Sequence, residues 1–122
     1  MKPRRILVID DERVICDACR LVLSEKGHTV TLKTSGAEGL RAIRQGDFDI
    51  ALLDMKLPDI DGMEILKAVR EEKLGICVVV MTGYSIMPNA VQAMKLGAAD
   101  YLAKPFTDDE LITAIEKACI SL

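Results

Sequence analysis

Ile50-Ala51-Leu52-Leu53-Asp54-Met55-Lys56-Leu57-Pro58-Asp59-Ile60-Asp61-Gly62 is the stretch that decides the fold. Its first four residues are apolar and are bounded by turn signals. Such a run reads as a strand buried on both faces, the kind found in parallel sheets. The run ends on a carboxylate, Asp54, which therefore stands at the C-terminal rim of the sheet. In open α/β sheets ligands bind at that rim. Pro58 and Gly62 turn the chain away, and Met63-Glu64-Ile65-Leu66-Lys67-Ala68-Val69 resumes with helical spacing. A lone acid at a strand end can equally well cap a loop, so the rest of the chain must decide its role.

Upstream, Arg5-Ile6-Leu7-Val8-Ile9-Asp10 is a second apolar run ending in acid, extended by Asp11 and Glu12. Val14, Ile15, Ala18, Val22 and Leu23 follow near helical spacing, and Gly27 ends that helix in the C′ manner. Thr29-Val30-Thr31-Leu32-Lys33-Thr34 alternates and is rich in β-branched residues, the signature of a strand. Ser35-Gly36-Ala37-Glu38 is a capping box that opens a second helix, closed by Gly46.

Downstream, the helix after Gly62 ends near Lys73-Leu74-Gly75. Ile76-Cys77-Val78-Val79-Val80-Met81 is another buried run and ends on Thr82-Gly83. Pro88 falls where a helix N1 proline belongs, and Gly97 stops that helix. Ala99-Asp100-Tyr101-Leu102-Ala103-Lys104-Pro105 reads as the fifth strand, and the capping box Thr107-Asp108-Asp109-Glu110 starts the last helix. Five βα units predict an α/β fold, a parallel sheet with helices on both faces and right-handed crossovers. No internal repeat, linker or low-complexity segment interrupts them.

A length of 122 residues fits one domain, 1–122, with a single core. Aromatics make up 3% of the chain and tryptophan is absent, so aliphatic residues and methionine must fill that core. The formal net charge of −3 provides no basic footprint for nucleic acid. No apolar run approaches the roughly 20 residues of a membrane span. The apolar run after the basic start stops at Ile9, too short for a signal peptide, so the cytoplasm is the expected location. Cys16 and Cys19 have redox or metal spacing. A zinc site needs four ligands, though, and His28 is the only histidine, while the pair falls inside a helical pattern. These cysteines read as packing residues, with Cys19 facing the core.

In such a sheet all strand C-termini share one edge. That edge gathers Asp10 and Asp11 from the first strand, Asp54 from the third, Thr82 from the fourth and Lys104 from the fifth. Three carboxylates cannot lie close together without a cation, and hard oxygen ligands select Mg²⁺. A lysine and a threonine hydroxyl beside them suit phosphate oxygens. The set describes a metal-assisted phosphoryl site in which Asp54 can act as nucleophile, since carboxylates form acyl phosphates.

Over essentially its full length the chain resembles the receiver domain of bacterial two-component response regulators. The residues that carry the resemblance are Val8-Ile9-Asp10-Asp11-Glu12, Leu52-Leu53-Asp54-Met55-Lys56-Leu57-Pro58-Asp59-Ile60-Asp61-Gly62, Thr82-Gly83 and Tyr101-Leu102-Ala103-Lys104-Pro105-Phe106. Each motif is weak alone, but their order and spacing together are specific. The resemblance implies a flavodoxin-like (βα)5 doubly wound sheet of strand order 2-1-3-4-5. It implies that Asp54 accepts a phosphoryl group from a sensor histidine kinase or phosphotransfer protein. Mg²⁺ would be held by Asp11, Asp54 and the backbone carbonyl of Lys56, with Asp10 assisting through water. Lys104 would pair with the phosphate, Thr82 would bond it, and Tyr101 would be the aromatic switch. The Lys104-Pro105 peptide is expected to be cis, as in the family. The output would be a changed surface on the fourth helix, fifth strand and fifth helix, carrying Lys95, Asp100 and Lys117. That surface would meet a second copy or an effector domain, with no direct contact to nucleic acid or membrane. The wording around Met81-Thr82-Gly83-Tyr84 and Ala93-Met94-Lys95-Leu96-Gly97-Ala98-Ala99-Asp100-Tyr101-Leu102 is similar to receivers of sigma-54 activators. Both a stand-alone receiver and a domain of a longer regulator fit these features.

A receiver is a phosphoacceptor and switch, not an enzyme beyond handling its own phosphoryl group. The alternative is a phosphohydrolase with an aspartyl nucleophile. That family carries a second acid two residues after the nucleophile, where this chain has Lys56. A flavin-binding flavodoxin needs a phosphate loop after the first strand, where this chain has Asp10, Asp11 and Glu12.

Overall fold

The computed structural model describes residues 2–83, 87–120 and 122. Strands and helices alternate: β1 (Arg5–Ile9), α1 (Arg13–Glu25), β2 (Thr29–Lys33), α2 (Gly36–Gln45), β3 (Ile50–Asp54), α3 (Gly62–Glu71), β4 (Cys77–Thr82), α4 (Met87–Lys95), β5 (Asp100–Ala103) and α5 (Asp108–Ile120). The strands form one parallel sheet in the order β2-β1-β3-β4-β5, as expected for a doubly wound flavodoxin-like fold. Several elements are shorter than the sequence suggested. β1 stops before Asp10 and β5 before Lys104, which leaves both charged side chains on the connections just past the sheet.

β3 is the central strand, and all five of its residues are buried. Alternate residues of a strand point to opposite faces, so the sheet has two cores. Ile6, Val8, Leu52, Val79, Met81 and Leu102 meet α1 and α5, which contribute Cys19, Leu23, Leu111 and Ile115. Leu7, Ile9, Ala51, Leu53 and Val80 meet α2, α3 and α4, which contribute Ile43, Ile65, Leu66 and Ala93. α2 lies very close to β1, because a Cβ at Gly39 would come within 2.6 Å of Ile9 Cδ1. On α1 the expected face is turned by part of a turn. Val14 is 78% exposed, and Cys16 joins Cys19 in the core. The helix starts at Arg13, so its buried stripe is Cys16, Cys19, Val22 and Leu23. Both cysteines are thiols in apolar packing, and burial pushes the Cys19 pKa up to about 12.

The caps follow the sequence signals. Thr107 and Glu110 form the reciprocal box: Glu110 N donates to Thr107 Oγ1, and Thr107 N to Glu110 Oε1. At α2 the Ser35 hydroxyl accepts from Glu38 N, but it turns its own proton to Glu38 Oε1. Pro88 lies in the first turn of α4. Helices α1, α3 and α4 share one way of ending. The amide two residues past the C-cap reaches back to the carbonyl five residues earlier, from His28 to Leu23, Leu74 to Val69 and Ala98 to Ala93. The residue before that amide has positive φ. It is Gly27 in α1 and Gly97 in α4, but Lys73 in α3. A side chain in that conformation is strained.

His28 is buried as well as being part of a cap. Its Nδ1 accepts from Arg4 N at 2.9 Å, while Nε2 is buried without a partner. Burial, and then positive charge nearby that includes Arg4, holds its pKa below the ordinary value of 6.5.

Two predictions follow from these caps. Lys73→Gly relieves the positive-φ strain and should stabilise the fold by roughly 1 kcal/mol, measured by denaturant unfolding. An unchanged midpoint would mean that the lysine side chain compensates. His28 in the folded state binds its proton more weakly than in the unfolded chain. Its contribution to stability is therefore intact above 6.5 and is lost as the pH falls through that value. Between about pH 7.5 and 5.5 the melting temperature should fall, and it should fall less in His28→Asn, whose amide oxygen can keep the Arg4 bond. Equal slopes in both proteins would assign the pH dependence to another group.

Candidate phosphoryl and metal site

The rim of the sheet brings together residues from four strand ends. Asp54 is the last residue of β3 and is 4% exposed. Its Oδ1 accepts from the Lys56 amide at 3.1 Å, so the turn that follows orients the carboxylate. Asp10 comes immediately after β1 and is completely buried. Asp10 N donates to Lys33 O at 3.1 Å, Oδ1 accepts from Glu12 N at 2.9 Å, and the Cys16 thiol donates to its carbonyl. Lys104 follows β5, is joined to Pro105 by a cis peptide bond, and donates its amide to Thr82 O at 2.7 Å. Thr82, half-buried at the end of β4, pairs in register with Ala103.

Lys104 Nζ lies 2.6 Å from Asp10 Oδ2, 3.4 Å from Asp54 Oδ2 and 3.5 Å from Glu12 Oε1. The Asp10 contact is a short, buried ion pair. Burial alone would lower the Lys104 pKa. The hydrogen bond to Asp10 and the charges of Asp10, Asp54 and Glu12 outweigh it, and the pKa is raised. Asp54 is raised as well, first by burial and then by the charge of Asp10. The Lys56 amide and Lys104 oppose that shift without cancelling it.

Carboxylate oxygens of Asp10, Glu12 and Asp54 all lie within 4.8 Å of one another. Three carboxylates against one ammonium leave an excess of two negative charges. That donor set and charge fit a divalent cation of the hard, oxygen-seeking kind. Asp11, expected as a direct ligand, is exposed beside this group and outside it. Glu12, which the sequence showed only as the tail of the acidic run after the first strand, belongs to it. It stands at the N-cap of α1, makes no side-chain cap bond, and faces Lys104 instead. Its signal in the sequence was its place two residues after Asp10.

The turn after Asp54 is closed at both ends. Met55 N donates to Met81 O, Gly62 N donates to Met55 O, and Lys56 pairs with Asp61 in a short antiparallel bridge. A Cβ at Gly62 would stand 2.7 Å from Met55 Cα, so only glycine closes this loop without displacing the backbone. Asp61 Oδ1 then accepts from Met63 N and starts α3. Tyr101 is 38% exposed on β5 and lines a groove of about 370 Å³ with Ala90, Val91, Met94 and Lys95. Asp100 and Lys117 line a second groove that also includes Tyr101.

The response regulator receiver domain model matches residues 6–116. The transcriptional regulatory protein DltR of Streptococcus agalactiae is 40% identical over 91% of this chain. ZraR of Escherichia coli, also a transcriptional regulatory protein, is 39% identical over 93%. The chain spans about half the length of DltR and 26% of ZraR. A CheY-like receiver domain from Methanospirillum hungatei superposes with a TM-score of 0.90 at 32% identity, covering 98% of this chain and 96% of the other. Among the described residues, no helix is long and apolar enough to cross a membrane.

Burial with a like charge nearby gives Asp54→Asn an expected sign. A folded-state pKa above the ordinary value means that the ionised carboxylate is held at a cost at neutral pH. Stability falls as the pH rises through that folded value. Without divalent cation, Asp54→Asn should melt a few degrees higher than the wild type, the scale of ~1 kcal/mol in a chain this size. A lower melting temperature would show that Lys104 already balances both acids.

Proposed function

Because the chain belongs to the response regulator receiver domain family, we propose that Asp54 is its phosphoacceptor and that Mg²⁺ is its cofactor. The protein is a receiver domain of two-component response regulators. The observation that supports the acceptor is the buried Asp54 carboxylate, oriented by the Lys56 amide and facing Asp10 and Lys104.

An Asp54 oxygen attacks phosphorus as the bond to the donor's histidine nitrogen breaks, and the released imidazole keeps the bonding electron pair. Bound Mg²⁺ would offset the clustered carboxylates and the charge on the phosphoryl oxygens. By the family resemblance Asp54, Asp11 and the Lys56 carbonyl would hold the metal, with Asp10 assisting through water, and Asp11, exposed beside the cluster, would turn inward to reach it. Lys104 then exchanges part of its pairing with the acids for the phosphate, and Thr82 donates to another phosphate oxygen. Drawing Thr82 inward makes room for the Tyr101 ring, which leaves its groove. The surface of α4, β5 and α5 changes, and Lys95, Asp100 and Lys117 there suit a second copy or an effector domain. The donor is a sensor histidine kinase or phosphotransfer protein, and the setting is the cytoplasm. Chemistry beyond the receiver's own phosphoryl group is not part of this reading, because Lys56 stands where an aspartyl phosphohydrolase needs its second acid. The output of any longer parent, a sigma-54 activator included, belongs to the same proposal.

Incubation with acetyl phosphate and Mg²⁺ should add one phosphoryl mass, absent in Asp54→Ala and absent when the metal is chelated. An adduct of full strength on Asp54→Ala would overturn the acceptor assignment. Beryllofluoride should shift the NMR signals of Tyr101 and α4 in the wild type and much less in Thr82→Ala. Equal responses would break the proposed link between Thr82 and Tyr101.

A further inference from the structure

Asp59 reaches away from its own loop. It follows Pro58 in the turn after Asp54, and its carboxylate accepts from two amides at the start of α2: Oδ1 from Gly36 N and Oδ2 from Ala37 N, both at 2.9 Å. The first-turn amides of a helix have no intrahelical acceptor and carry the positive end of the helix dipole. A bidentate carboxylate satisfies two of them at once. Those two hydrogen bonds hold the Asp59 pKa below its ordinary value. The contact is also close-packed. A Cβ at Gly36 would come within 3.0 Å of Ile60 Cβ, 3.2 Å of Asp59 Oδ1 and 3.3 Å of Leu57 Cδ1. The loop therefore rests directly on the end of α2, and α2 is itself fixed to β1 through Gly39 and Ile9.

The same loop carries Lys56, whose amide orients Asp54. Its far end is closed by Gly62 on Met55 and by Asp61 at the start of α3. Asp59 is the tie at its middle. We propose that Asp59 is a positioning residue for the phosphoryl site: by fastening the loop to the start of α2 it fixes the Lys56 amide and carbonyl, and through them the Asp54 carboxylate. This rests on the reading of Asp54 as acceptor. Asp59 touches neither phosphate nor metal, and it acts by limiting where the loop can go. Small displacements of reacting groups are costly, on the order of a hundredfold for about 1 Å.

The alternative is that Asp59 only stabilises α2. Ser35→Ala is the control, because it removes a cap at the same helix end and leaves the loop tied. Two quantities are to be measured in each variant: hydrogen exchange of the Lys56 amide in the metal-free protein, and the rate of phosphorylation by acetyl phosphate with Mg²⁺. Asp59→Ala should speed Lys56 exchange and slow phosphorylation by about tenfold each, and Ser35→Ala should change neither beyond its effect on global stability. Asp59→Asn should fall between, since its amide oxygen can keep one of the two bonds. Gly36→Ala, which pushes on the loop from the helix side without altering its sequence, should shift Lys56 in the same direction by a smaller factor. If Asp59→Ala does not fold, Asp59→Asn and Gly36→Ala decide. Unchanged Lys56 exchange in the Asp59 variants, or equal changes in Ser35→Ala, would overturn the proposal. A wild type that takes no phosphate would instead overturn the acceptor reading, while the metal-free exchange would still report on the tie.

Discussion

One ammonium group among three carboxylates governs the rim of this sheet. Lys104 Nζ sits within 3.5 Å of Asp10, Asp54 and Glu12, and Asp10 is fully removed from water. Desolvating charge is expensive unless the partners balance. Here they do not, since two negative charges remain. The Asp10 hydrogen bond and the surrounding negative charge raise the Lys104 pKa despite burial, whereas burial first, and then the charge of Asp10, raises that of Asp54 despite a neighbouring cation. The donor set of such a site could hold a divalent cation.

The fold exists to hold that imbalance in place. Parallel pairing puts every strand C-terminus on one side, so Asp10, Asp54, Thr82 and Lys104 converge although they are far apart in sequence. The central strand, buried along its whole length, gives Asp54 no freedom at its root. Its side-chain direction is set by the closed turn that follows. The backbone also joins the donors to each other, because Lys104 N bonds to Thr82 O. Motion of one connection is therefore felt by the other.

Much of this was legible in the sequence. The apolar runs ending in Asp10, Asp54 and Thr82 indicated buried strands and a shared rim, and the strand order came with the family resemblance. What was hidden has one cause: contacts between residues distant in sequence leave no local pattern. Asp59 looked like an ordinary turn residue, since its partners Gly36 and Ala37 lie more than twenty positions away. Glu12 looked like the tail of an acidic run, and its contact with Lys104 leaves no local pattern. Val14 fitted the helical spacing of α1 but lies outside the buried stripe, because Cys16 occupies the core position instead. Lys73 occupies a position whose backbone favours glycine, which no periodicity could reveal.

The unequal anchoring of the helices has a mechanical consequence. α5 is fastened to the sheet by Leu111 and Ile115, and α3 by Ile65 and Leu66. Among its described side chains α4 buries only Ala90 and Ala93, while Val91 and Met94 face solvent. A buried methyl stabilises by a fraction of what a buried leucine does, at about 25 cal/mol per Å² of apolar surface. Among its described side chains, α4 therefore holds less apolar surface against the sheet than α3 or α5 does. Apolar burial thus holds α4 less firmly, among its described side chains, than it holds α3 or α5.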